Sequence, residues 1–129
     1  MLSLNKVHHI AIICSDFAVS KHFYTSILGL EILQEIYREE RQSYKLDLAL
    51  NGEYTVELFS FPNPPKRVSR PEACGLRHLA FTVNNIVQTR DSLISQHIPC
   101  EAIRVDEYTQ KSFFFIEDPD GLPIEFYES

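Results

Sequence analysis

The 129-residue sequence predicts an α+β fold in which two tandem βαβββ modules form one eight-stranded curved sheet, a cup. Three observations predict it. The halves repeat: HisHisIleAlaIleIle begins at His8 and ArgHisLeuAlaPheThr at Arg77, so His9 and His78 lie 69 apart (78 − 9). Within each half the hydrophobic period runs in the same order, from alternation to a helical stripe and back to alternation. Between the halves, the segment 62–72 (ProAsnProProLysArgValSerArgProGlu) holds four of the seven prolines. So many prolines suit neither a central strand nor a helix interior. We expect one domain, 1–129, with modules 5–61 and 76–128 and a linker 62–75.

The elements follow in order. Residues 7–14 alternate and are rich in β-branched side chains, which predicts a strand. Asp16 stands seven residues after His9 (16 − 9), Asn85 seven after His78 (85 − 78), and each has a side chain suited to cap a helix. The first helix is expected over 17–28, with Val19, Phe23 and Ile27 as its core stripe and Gly29 just past its end. Strands are expected near 31–38, 43–50 and 53–61, the last two joined by the Asn51–Gly52 turn. The second module predicts a strand at 76–83, a helix at 85–96 and strands at 100–105, 112–117 and 122–127, with a loop at 106–111.

Composition excludes several roles. The net charge of −6 disfavours nucleic acid as a partner. No apolar run approaches the ~20 residues of a membrane span, and MLSLNKVHHI lacks the apolar core of a signal peptide. Cys14, Cys74 and Cys100 are odd in number, scattered and without a CxxC pair, which points to a reducing cytoplasm rather than a disulfide framework.

Each module ends in a strand carrying a glutamate, ValGluLeuPhe at 56–59 and IleGluPheTyr at 124–127. The histidine-to-glutamate spacing is 48 in the first copy (57 − 9) and 47 in the second (125 − 78). Taken singly, a strand histidine is ordinarily a hydrogen-bonded core or surface residue, and a strand glutamate a solvent-facing or edge charge. Matched spacing in two copies changes the balance, because independent structural residues need not keep it. Alternation places His9 on a face with Ala11 and His78 with Ala80, small neighbours that leave room for a ligand. A half-buried carboxylate in an apolar strand needs a cation or hydrogen bonds. His9, Glu57, His78 and Glu125 are therefore candidate ligands of one divalent metal within the cup, with His8 the alternative to His9. Repeat register favours His9, because His8 aligns with Arg77. His22 and His97 are expected at the surface. Two imidazoles and two carboxylates suit Zn²⁺, Ni²⁺, Co²⁺, Mn²⁺ or Fe²⁺, with Zn²⁺ or Ni²⁺ the cofactor expected.

The paired modules, the opening HisHisIleAlaIle with Asp16 and PheTyr at 23–24, GlyLeuArgHisLeuAlaPhe at 75–81 and AspProAspGlyLeuProIleGluPhe at 118–126 resemble the vicinal oxygen chelate superfamily. The resemblance covers essentially the whole chain. The glutamate in the first module makes it closest to glyoxalase I, or lactoylglutathione lyase, and to short bacterial relatives of that enzyme. The resemblance implies isomerisation of a 2-oxoaldehyde–thiol hemithioacetal, such as a glutathione adduct, through an enediolate. It implies Glu125 as the base and Glu57 as its pseudosymmetric counterpart. A homodimer is expected because each module's four-stranded sheet leaves open edges and the proline-rich linker is stiff, with the site built within one chain or across two. Where glyoxalase I enzymes carry an arginine and an asparagine for glutathione carboxylates, this chain holds Ile13 and Phe61. Arg38, Arg41, Arg77, Arg104 and Lys111 are either substitutes for them or, as is more usual, ordinary surface charges, and Phe59, Phe61, Phe113 and Phe115 can line a pocket or pack the core. The competing readings are an epimerase, dioxygenase or thiol transferase on the same scaffold, and a non-catalytic small-molecule binding module.

Overall fold

A computed structural model describes residues 1–129. The chain divides into two compact units, Met1–Pro65 and Lys66–Ser129, with the boundary inside the expected linker.

Unit 1 contains β1 (Ile10–Cys14), α1 (Phe17–His22), β2 (Glu31–Arg38), β3 (Ser43–Leu50) and β4 (Glu53–Ser60). Its sheet has the order β1-β4-β3-β2, with β1 parallel to β4 and the other pairs antiparallel. Asp16 Oδ1 accepts the Val19 backbone N–H at 3.2 Å, the expected cap. Asn51 and Gly52 take positive φ of 52° and 82°, the backbone a tight hairpin turn demands. Alternation sends Ile12, Cys14, Leu46, Leu48, Val56 and Leu58 to one face, where Phe23, Tyr24 and Leu30 join them in the core. The opposite face carries His9, Ala11, Asp47 and Glu57.

Unit 2 repeats this plan with β5 (Leu79–Val83), α2 (Ile86–Ser95), β6 (Arg104–Val105), β7 (Ser112–Glu117) and β8 (Pro123–Glu128). The order is β5-β8-β7-β6, with β5 parallel to β8. Asn85 Oδ1 caps α2 by accepting the Gln88 N–H at 3.0 Å. Leu79, Phe114, Ile116, Ile124 and Phe126 pack with Ile86 and Leu93 of α2.

The structure corrects four expectations. The first helix is α-helical only to His22 and continues as a π-helical turn over Phe23–Ile27, closed by Leu28 N–H donating to the Phe23 carbonyl at 2.9 Å. Its buried stripe is Ser20, Phe23 and Tyr24, while Val19 is 51% exposed. Small Ser20 faces the sheet, and Val19 precedes it by one residue, about 100° around the helix. Both histidines stand one residue before their strands, which begin at Ile10 and Leu79 and not at the expected 7 and 76. The strand expected over 100–105 is two residues long, because the Glu101 side chain accepts the Phe115 N–H at 3.0 Å where a strand carbonyl would pair.

Candidate metal centre

Parallel pairing of the first and last strand of each unit brings its histidine and glutamate together. In unit 1, Ala11 lies opposite Glu57, and in unit 2, Ala80 lies opposite Glu125. The alanines are short enough to leave each carboxylate facing the imidazole two residues earlier. His9 Nε2 is 3.6 Å from Glu57 Oε1, and His78 Nε2 is 3.6 Å from Glu125 Oε1. His8 faces no carboxylate; its Nδ1 lies 2.8 Å from His9 Nδ1, which leaves His9 Nε2 turned to Glu57. The turn at 118–121 sets the position of β8. Asp118 Oδ1 accepts the N–H groups of Asp120 and Leu122, each at 2.9 Å, and Gly121 takes a φ of 85°. His22 and His97 are exposed, as expected.

The donor chemistry fits a divalent cation. A separation of 3.6 Å is too long for a hydrogen bond. Two donors each ~2.0–2.2 Å from one ion stand roughly 3–3.6 Å apart, depending on geometry. Glu57 Oε1 and Glu125 accept no hydrogen bond, so their lone pairs remain open toward the imidazoles. Both glutamate side chains are largely buried, at 14% and 16% exposure, and the histidines are about one third exposed. Within neither unit do three or more His, Cys, Asp or Glu side chains group to hold an ion; each offers a pair.

The surroundings of the two pairs differ. In unit 1 an antiparallel register places Asp47 opposite Glu57 and Lys45 opposite Phe59. Lys45 Nζ donates to both Asp47 oxygens at 2.7 and 2.9 Å and lies 3.4 Å from Glu57 Oε2. The Tyr54 hydroxyl lies 2.7 Å from Asp47 Oδ1 and 3.1 Å from Glu57 Oε2, within reach of both. Burial, followed by the Asp47 hydrogen bond, pushes the Tyr54 hydroxyl well above the ordinary phenol range, so it remains a neutral donor. Burial also acts to raise Asp47, but the hydrogen bonds from Lys45 and Tyr54 outweigh it and hold the carboxyl below its usual value. The hydrogen bond to Asp47 raises Lys45 in turn. This network was missed in the sequence, although Lys45 and Asp47 share a face of a predicted strand.

In unit 2 the position opposite Glu125 is Phe115, whose ring meets His78 edge-on at 5.1 Å. Glu125 has no hydrogen-bond donor there, and His78 Nδ1 is buried without a partner. A groove of about 840 Å³ opens beside His78 and Phe115, within the size range of small-molecule sites. The four phenylalanines are half-buried and each pair carries an arginine. The Arg38 guanidinium lies 4.7 Å from the Phe59 ring centroid and 5.7 Å from that of Phe61. Arg104 lies 4.8 and 5.9 Å from Phe113 and Phe115.

Cys14, Cys74 and Cys100 are all free thiols. No helix is long and apolar enough to cross a membrane.

Comparison with known proteins assigns the scaffold. Residues 6–126 match the family model of the Glyoxalase/Bleomycin resistance protein/Dioxygenase superfamily. The chain is 63% identical over 128 residues to the uncharacterized protein YaeR of Escherichia coli, covering 99% of both chains. It is 58% identical over 125 residues to the uncharacterized protein YwkD of Bacillus subtilis, covering 97% of this chain and 98% of that one. Among solved structures it is similar to a glyoxalase family protein from Enterococcus faecalis, with a TM-score of 0.89, 45% identity, and 95% and 97% of the two chains covered.

Proposed function

The chain belongs to the glyoxalase/bleomycin resistance protein/dioxygenase superfamily, and on that basis we propose that it is a metal-dependent, glyoxalase I-like lyase of the cytoplasm. One observation carries the proposal: two His–Glu pairs with the same 3.6 Å separation, one per unit, each with open lone pairs. His9, Glu57, His78 and Glu125 would hold the ion, Zn²⁺ or Ni²⁺ by donor type, inside a cup formed from both kinds of module. When bound, the ion supplies Lewis-acid stabilisation of negative charge on a chelating oxygen pair.

The protein's own groups do the rest. Glu125 takes the carbon-bound proton of the hemithioacetal and returns it to the adjacent carbon, giving a thioester of a 2-hydroxy acid. It suits this task because no hydrogen bond ties it down. Glu57 is held by Tyr54 and Lys45 and serves as a fixed ligand. His8 orients His9 through the ring nitrogen turned away from the site. Phe115, opposite Glu125 and edge-on to His78, gives the Glu125 side an apolar wall.

Each module supplies two of the four ligands, so a site needs one module of each kind, and we propose that they come from two copies of the chain. The edge strand β2 leaves Ile32, Leu33 and Tyr37 about half exposed, an apolar edge that calls for cover. The proline-rich linker is stiff and suits modules that pair between chains.

Metal analysis of the purified protein, followed by turnover of 2-oxoaldehyde–thiol adducts, tests the reading. About one bound ion per four-ligand site and isomerase activity lost on chelation are expected. Fully metallated protein without turnover would leave the epimerase or thiol-transferase readings. Mixing inactive His9→Ala and His78→Ala dimers under subunit exchange should restore part of the activity, since one site of the heterodimer regains all four ligands. Demonstrated exchange without recovery would place each site within a single chain. A monomer by sedimentation would remove the dimer altogether.

A further inference from the structure

We propose that Arg38 is the specificity residue of this site, a clamp for a carboxylate carried by the substrate. Arg38 ends the edge strand β2, opposite Ser43, and its guanidinium lies over Phe59 and Phe61. Phe59 is two residues beyond Glu57 on β4 and, by alternation, on the same face. Two strand residues span roughly 7 Å, which sets the distance along the sheet from Glu57 to the cation.

Four features mark a cation that lacks its anion. Arg38 has no acidic partner, whereas Lys21 is paired with Glu35 and Lys45 with Asp47. Its hydrogen bond, from Nη2 to Ser43 Oγ at 2.8 Å, fixes the group without neutralising it. Its Nε is buried with no partner. In unit 2 the arginine stacked on phenylalanines, Arg104, is already paired, with Glu101 at 2.8 Å. A buried, unsatisfied N–H is costly, and a stacked arginine presents a planar fork matched to a carboxylate. Ile13 and Ile36, 55% and 38% exposed, flank the row through Phe59 and Lys45, and Lys45 is already paired with Asp47, which leaves Arg38 the unpaired cation of this face. The substrate class is therefore a short acid. Its oxygen pair lies at the His9–Glu57 end, and its carboxylate lies two or three carbons away at Arg38. A hemithioacetal formed from a small thiol acid meets this description. The inference rests on the proposed metal site only for where the other end of the substrate lies.

A matched pair of chelating probes separates the two. Succinic monohydroxamate and butyrohydroxamate share the metal-binding group and differ in a terminal carboxylate against a methyl. Calorimetric titration of the zinc-loaded full-length protein should give at least a ~10-fold preference for the acid. Arg38→Met should remove that preference and leave butyrohydroxamate binding unchanged, while Arg38→Lys keeps part of it. An equal preference in wild type and Arg38→Met overturns the clamp and leaves the metal reading intact. If neither hydroxamate binds, the metal reading fails. The clamp is then decided by titrating metal-free protein with glutarate while following the Arg38 Nε–H resonance, assigned by its loss in Arg38→Met. Movement of that resonance supports the clamp, and a stationary resonance overturns it.

Discussion

The two units share one topology and one His–Glu separation, yet they surround the glutamate in opposite ways. Across the strand from Glu57 stands Asp47, tied to Lys45 and Tyr54; across from Glu125 stands Phe115. The backbone plan and the candidate ligands stayed the same in both copies while the cross-strand neighbour diverged. A carboxylate held by a hydroxyl and an ammonium is fixed in place. A carboxylate facing an aromatic ring has no such tether. The difference teaches that two glutamates at matching positions of one topology can be surrounded differently, one by Tyr54 and Lys45 and the other by Phe115.

The strongest way to break this comparison is to neutralise each glutamate in turn. Glu125→Gln should lower turnover per bound metal by ~10²–10⁴-fold, since an amide cannot accept the proton. Glu57→Gln should mainly weaken metal binding, leaving turnover per bound ion much closer to wild type. Equal losses per bound ion would erase the division of labour. Steady-state rates normalised to metal content read both outcomes.

Most of this architecture is legible in the sequence, and the illegible parts have physical causes. The caps Asp16 and Asn85 and the turn Asn51–Gly52 are local signals and stand where the pattern puts them, and the glutamates lie on their expected strands, while both histidines sit one residue ahead of theirs. The Lys45–Asp47–Tyr54 network was not legible, because it depends on register. A regular two-residue hairpin at 51–52 would set Asp47 against Val56, on the buried face. The structure has a bulge between Leu48 and Ala49 that shifts the pairing by one residue, to Asp47 against Glu57. That shift carries Asp47 onto the ligand face, and no residue type near it announces a bulge. The π-helical turn at Phe23–Ile27 is hidden for a similar reason, since the same residues also suit an α-helix.

A smaller effect separates the units by stability. Asp47→Ala removes the nearer acceptor of Lys45 and Tyr54 and leaves both only the more distant Glu57 Oε2. The expected cost is about 2 kcal/mol, discounted because Lys45 can turn to water. Its counterpart by register, Phe115→Ala, should cost a similar amount by a different route, lost apolar burial. Asp47→Asn distinguishes the two, because it keeps the size and removes the charge. If urea denaturation shows Asp47→Asn as stable as wild type, the network contributes packing alone and the contrast with Phe115 disappears.

The smallest expected effect isolates one hydroxyl. Tyr54→Phe keeps the ring that lies 4.8 Å from His9 and removes only the group that joins Asp47 to Glu57. Stability should fall by about 1 kcal/mol, the ordinary worth of such a bond. Metal affinity should fall more visibly, by roughly 10-fold, because a partner that orients a ligand typically matters on that scale. The two readouts discriminate between roles. Lost stability with unchanged affinity means that Tyr54 braces the sheet. Lost affinity with nearly unchanged stability means that it aims Glu57, and in that case Phe115→Tyr, which offers unit 2 a hydroxyl near Glu125, should slow proton transfer by tethering the base.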